Sequence, residues 1–124
     1  MATSVSDFPD LNRTTTTATI ANGASLSGAV NLEGSRLLGI AMPAAWTAAN
    51  LTIKTSVDGT TYQDAYDADG AEITIVVGGA SRNIHFSDQL HGVRWLKLRS
   101  GTTSSAVNQG ADRTLTLFVD QARR

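Results

Sequence analysis

Cysteine is absent from this chain of 124 residues, proline occurs twice, aromatic residues make up 6% and charged residues 17%. Each shortage excludes something. Without cysteine there is no disulfide framework, no thiolate metal site and no thiol nucleophile. No run approaches the roughly 18 apolar residues that cross a bilayer as a helix. The opening Met1-Ala2-Thr3-Ser4-Val5-Ser6-Asp7 also lacks the basic-then-apolar layout of a secretory leader, so the chain is read as soluble, made in the cytoplasm, with no membrane partner. His85 and His91 are the only histidines. With no serine in a Gly-x-Ser-x-Gly elbow, a hydrolytic triad has no base held beside a nucleophile, and two histidines without a third ligand make no zinc site. Gly78-Gly79-Ala80 lies between two strand-like runs and does not open a helix, so it reads as a turn and not as a phosphate cradle. The expectation is a chain without enzymatic activity and without a cofactor.

What the sequence has instead is threonine, valine and isoleucine in short runs, separated by glycine-containing turns about every ten residues. Candidate strands cover 15–21, 25–32, 36–42, 51–57, 61–66, 72–77, 82–86, 93–99 and 114–120. No segment sustains apolar residues at helical spacing over three turns. The reading is all-β, an antiparallel β-sandwich or jelly roll of about 8–9 short strands. Residues 1–13 lack periodicity and read as an extended amino-terminal arm; residues 14–124 read as one domain, large enough to bury a core without staples.

Alternation assigns the faces. Leu51, Ile53, Thr55 and Val57 point one way, as do Ile73, Ile75 and Val77, Leu96 and Leu98, and Leu115, Leu117 and Val119. Asp58-Gly59 predicts a tight hairpin between 51–57 and 61–66, and Asp67-Ala68-Asp69-Gly70 a second turn, making a three-stranded antiparallel meander with 72–77. Met42 to Asn50 predicts a loop or helical turn that plugs one end of the sandwich with Trp46. Residues 100–113 predict a long mobile loop.

The formal net charge is −1, which gives no electrostatic case for nucleic acid. Its distribution is uneven. Residues 1–80 carry three basic against eight acidic side chains, whereas residues 81–124 carry seven basic against three acidic. Either strands from the two halves interleave and the charges mix, or the asymmetry orients the protein on a partner. Asp58, Asp64, Asp67 and Asp69 offer carboxylates for calcium, but the later acidic ligand of a calcium loop is missing, and turn chemistry explains the same residues. His85 alternates with Ile84 and Phe86 and is placed on the solvent face of an edge-like strand. Trp95, Lys97 and Arg99 share the face opposite Leu96 and Leu98, which is either a covered aromatic with cation stems beside it or a contact surface. Trp46, Trp95, Tyr62 and Tyr66 are candidates for holding a sugar face, with core or hairpin packing as the other account.

The stretch Ala18 to Leu32, then Leu38-Gly39-Ile40-Ala41-Met42-Pro43-Ala44-Ala45-Trp46, Leu51 to Asp64, and Arg94-Trp95-Leu96-Lys97-Leu98-Arg99-Ser100-Gly101-Thr102 resembles small β-sandwich structural proteins, head decoration or accessory components, of tailed bacteriophages and prophages. The resemblance implies a virion component with a β-sandwich or jelly-roll body and leaves its place, head or tail, open. The leading expectation is a protein that decorates or cements the capsid through contacts with the major capsid protein or another virion protein, as a homo-oligomer, with a trimer favoured by the threefold sites of a shell. The alternative is a carbohydrate-binding module of a head spike, fibre or tail. The contact residues expected are Phe8, Leu11 and Arg13 from the arm and Trp95, Lys97 and Arg99 from the strand face.

Overall fold

A computed structural model describes residues 13–86 and 92–121. Among these the chain forms nine strands and no helix: β1 (Arg13–Ile20), β2 (Val30–Asn31), β3 (Ser35–Ala41), β4 (Leu51–Ser56), β5 (Gln63–Asp64), β6 (Thr74–Ile75), β7 (Asn83–His85), β8 (Trp95–Ser100) and β9 (Arg113–Gln121). They pair antiparallel in two sheets. Sheet A has the order β1-β9-β3-β7; sheet B has the order β2-β8-β4-β5, with β6 also on β4.

The alternating apolar residues set this arrangement, because each sheet has one face that must leave water. Sheet A contributes Ala18, Ile20, Leu37, Ile40, Leu115, Leu117 and Val119 to one buried cluster, and sheet B contributes Val30, Leu51, Ile53, Ile75, Leu96 and Leu98. Ile20, Ile40, Leu51, Ile53, Leu96, Leu98, Leu115 and Leu117 have no exposed surface at all. Burial at this level removes about 1.5–3 kcal/mol of unfavourable hydration for each such side chain. The loop from Met42 to Asn50 closes one end without forming a helix. Trp46 packs against the core from this loop, and its indole Nε1 donates to the Ala49 carbonyl at 3.0 Å.

Several expectations change. The run 25–32 is a strand only at Val30–Asn31, because the Ser27 hydroxyl replaces a backbone carbonyl in accepting from Leu98 N at 2.9 Å, and Gly28 N turns away to donate to Thr19 O. Val57 does not join Leu51 and Ile53 inside; it is 96% exposed, since β4 ends at Ser56, whose hydroxyl takes Gly59 N at 2.8 Å and starts the turn. The hairpin from β4 to β5 forms, with Lys54 facing Asp64 and Thr55 facing Gln63, but its loop spans 57–62 and is not a two-residue turn. The meander does not form as a three-stranded sheet. β5 and β6 lie end to end on the same edge of β4, β6 taking Leu51 and Thr52, and the Tyr66–Glu72 bridge closes the excursion between them.

The loop expected to be mobile is hydrogen-bonded inward. Gln109 is buried, and its amide is fully used: Nε2 donates to Thr47 O at 3.0 Å and to Ser100 Oγ at 2.7 Å, while Oε1 accepts from Thr47 N at 2.8 Å and Arg113 Nε at 3.1 Å. A side chain so satisfied bolts the β8–β9 connection to the Met42–Asn50 loop, because freeing it would leave several buried polar groups unpaired.

Candidate functional site

The outer face of sheet B is where the sequence places Trp95, Lys97 and Arg99, and β8 does present all three there, across from Ser56, Lys54 and Thr52 of β4. The face is not open. The loop 57–62 reaches over it and β5 borders it on the edge of β4, so each of the three side chains meets a partner from residues 57–72 or from its own neighbour.

Arg99 is the most enclosed, with 9% of its side chain exposed. Its Nε donates to Thr52 Oγ1 at 3.0 Å, Nη1 to Asp64 Oδ1 at 2.8 Å, and Nη2 to Glu72 Oε2 and Thr103 Oγ1, both at 2.8 Å. The planar guanidinium can satisfy four acceptors at fixed angles, which an ammonium cannot. Thr52 passes the chain of bonds on by donating to Gly101 O at 2.8 Å, and Glu72 accepts from Thr103 N at 3.1 Å. The Arg99 guanidinium, with the Lys54 ammonium at 3.3 Å, holds the Asp64 carboxyl below its ordinary range.

Lys54 and Lys97 face each other directly in the ladder, an unfavourable pairing of like charges. Different partners relieve it: Lys54 turns to Asp64, and the Lys97 ammonium sits 4.6 Å from the centre of the Tyr62 ring. Trp95 has the Arg94 guanidinium carbon 4.5 Å from its ring centre and the Gly59 backbone against the indole. A Cβ at residue 59 would lie 3.0 Å from the indole, and φ there is +80°, so glycine serves both the turn and the close approach. The side chains with which Trp95 and Tyr62 would hold a sugar are thus packed against this chain's own cations. Tyr66 is exposed.

The acidic turns are explained by their own backbone. Asp58 Oδ1 accepts from Thr60 N and Thr61 N at 2.8 and 2.9 Å, and Asp67 Oδ1 accepts from Asp69 N and Ala71 N at 2.9 and 3.0 Å. The bonds from Thr61 and Thr60, with the Ser56 hydroxyl, lower the Asp58 pKa. Among the described residues no three metal-ligating side chains gather.

Sheet A is different. Its outer surface carries Thr15, Thr17 and Thr19 of β1, Thr114, Thr116 and Phe118 of β9, Arg36 and Leu38 of β3, and His85 of the edge strand β7. Here His85 is exposed, as expected, with its ring stacked near Phe118 at 6.1 Å between centroids. Leu38 enters this surface through a bulge between Leu37 and Gly39. Thr14, Thr15, Leu38, His85, Phe118 and Val119 line a shallow groove of about 460 Å³. Arg36 and Asp120 form an ion pair on the same face. Of the expected arm contacts, Phe8 and Leu11 lie outside the described residues, and Arg13 opens β1 at the groove end of the sheet.

Sequence reading missed Asp64 and Glu72 as the partners of Arg99 and missed the groove around Phe118. The first had a signal, the acidic excess of one half of the chain against the basic excess of the other, which the two ion pairs of Arg99 now partly account for. The groove had none, because it depends on the bulge at Leu38. Comparison with protein-family models, with curated proteins and with solved structures finds no match.

Proposed function

We propose that this chain is a non-enzymatic structural protein of a tailed-phage particle, located on the virion and held to the major capsid protein or another virion protein by protein–protein contacts that decorate or cement the shell. The observation that carries the reading is the contrast between the two outer faces. On sheet B the cations and aromatic rings are engaged within the chain by Asp64, Glu72, Tyr62 and Gly59. On sheet A threonine rows border an apolar groove of Leu38, His85 and Phe118, a combination suited to a protein surface more than to a small polar ligand. The resemblance to phage accessory proteins supplies the setting.

The contact residues therefore move from Trp95, Lys97 and Arg99 to Leu38, Phe118 and β1. Particles assembled without this protein test the reading by co-sedimentation. Saturable binding at many copies, lost in Phe118→Asp with the fold intact, supports decoration. Absence of binding, or a few copies at a single vertex, overturns it.

A further inference from the structure

β1 is an edge strand, and the hydrogen bonding of its neighbours shows which of its backbone groups face outward. Phe86 N donates to Leu38 O and Met42 N to Arg82 O, so Leu38, Ile40 and Met42 point their backbone groups at β7. Residues alternate along an antiparallel strand, so Gly39 and Ala41 point at β9, where they face Phe118 and Thr116. Phe118 and Thr116 therefore turn away from β1. Their neighbours Val119, Leu117 and Leu115 turn toward it, and they face Thr14, Thr16 and Ala18. That leaves Arg13, Thr15, Thr17 and Thr19 with amide and carbonyl groups directed at the outer edge. Two further contacts agree: Gly28 N donates to Thr19 O at 3.3 Å from outside the sheet, and the Thr19 and Thr114 hydroxyls meet at 3.1 Å, as side chains do at a closely approaching pair that does not share backbone bonds.

Gly28 thus closes the edge at Thr19, and among the described residues nothing closes it from Arg13 to Thr17. Beyond Arg13 this stretch lacks the usual devices that keep an edge from pairing. It has no proline, no glycine and no bulge, and its one charge is Arg13 at the end. Its β-branched threonines favour the extended backbone.

We propose that this edge is a homodimer interface, formed by antiparallel pairing of β1 with β1 of a second copy about a two-fold axis through Thr15. The exposed groups repeat at Arg13, Thr15 and Thr17, a set symmetric about Thr15, so a two-fold axis there sets Thr15 against its own copy and Arg13 against Thr17. Each facing pair exchanges both backbone bonds, and no like charges meet. The capped Thr19 lies outside this register. The Leu38–His85–Phe118 groove begins beside the same end of β1, so the two grooves flank the joint on one outer face of the continuous sheet. Two sheets A become one continuous sheet, a closed isologous assembly, in place of the trimer that threefold shell sites favour. This inference stands apart from the virion reading: a monomeric chain that binds particles would sink it alone.

The cysteine-free sequence gives a direct test. In Thr15→Cys, the two thiols across the axis have Cα atoms about 5.5 Å apart, within the disulfide range of about 4.4–6.8 Å; mild oxidation is expected to give a covalent dimer in high yield, and Thr19→Cys little. Sedimentation of the unmodified protein is expected to give twice the 13.0 kDa chain mass. Thr15→Pro, which removes an outward amide and no hydrogen bond to β9, and Thr17→Lys, which sets a like charge against Arg13, are each expected to return it to the monomer mass with an unchanged β-sheet spectrum. A monomer or a trimer for the unmodified protein, a dimer that survives both substitutions, or equal cross-linking at positions 15 and 19 overturns the proposal. Should Thr15→Pro fail to fold, Thr17→Lys and the cysteine pair decide it.

Discussion

Arg99 and Asp64, 35 residues apart in sequence, meet at 2.8 Å over the outer face of sheet B, and this contact fastens the β4–β6 excursion onto β8. Glu72 holds the other side of the same guanidinium at 2.8 Å. Where a contact face was expected, the molecule has an internal clamp.

Arg99→Met is therefore expected to destabilise the fold by about 3 kcal/mol, because it leaves the partly enclosed Glu72 carboxylate without its cation and Asp64 with Lys54 alone. Arg99→Lys is expected to recover only part of this, since one ammonium cannot reach Thr52, Asp64 and Glu72 together. Urea midpoints for the two variants check both statements.

Acid is expected to loosen the same clamp. Asp64 is held below its ordinary value of 3.8 by Arg99 and then Lys54. The unfolded chain therefore takes up a proton there at a pH where the fold does not. The contribution of Asp64 is complete above the unfolded value and is lost as pH falls through the folded one. Thermal midpoints measured from pH 6 downward are expected to fall below about pH 4, and to fall less steeply in Asp64→Asn, which starts from a lower midpoint.

Gln109→Leu fills similar space but strips the partners of Thr47, Ser100 and Arg113. The expected loss is about 2 kcal/mol, accompanied by faster amide exchange along 101–112. Unchanged exchange would show that the bolt is not what holds that loop.

Tyr62 presents the opposite case. Its hydroxyl is buried without a hydrogen-bond partner, while its ring faces Lys97. Tyr62→Phe keeps the ring and removes the unsatisfied group, so the unfolding midpoint is expected to rise, by a free energy of about 1 kcal/mol.

Gly39→Ala tests the groove side. A Cβ there would collide with the Ile84 carbonyl and press on the Phe118 ring. β7 is expected to be pushed off β3, exposing Ile84, with loss of stability and of the His85–Phe118 stacking as seen in the histidine ring resonances.

The period-two apolar pattern determined the two-layer fold without help, because a strand with one oily face has a single way to turn. Leu96 and Leu98, or Leu115 and Leu117, could be assigned inside from alternation alone, and both are fully buried. Turn residues likewise fixed where the chain reverses at Asp58 and Asp67. What alternation cannot state is which strand lies next to which, or what covers the other face. Trp95, Lys97 and Arg99 read as an outward polar row, and so they are, but Asp64 and Glu72 arrive over them only because β5 and β6 share one edge of β4. The open edge of β1 likewise follows from strand order, since a strand in the middle of a sheet and a strand at its border can have the same sequence pattern. Side-chain hydrophobicity decides which face is buried; the pairing of backbone groups across distant segments decides which edges are left free, and that is settled only in the assembled structure.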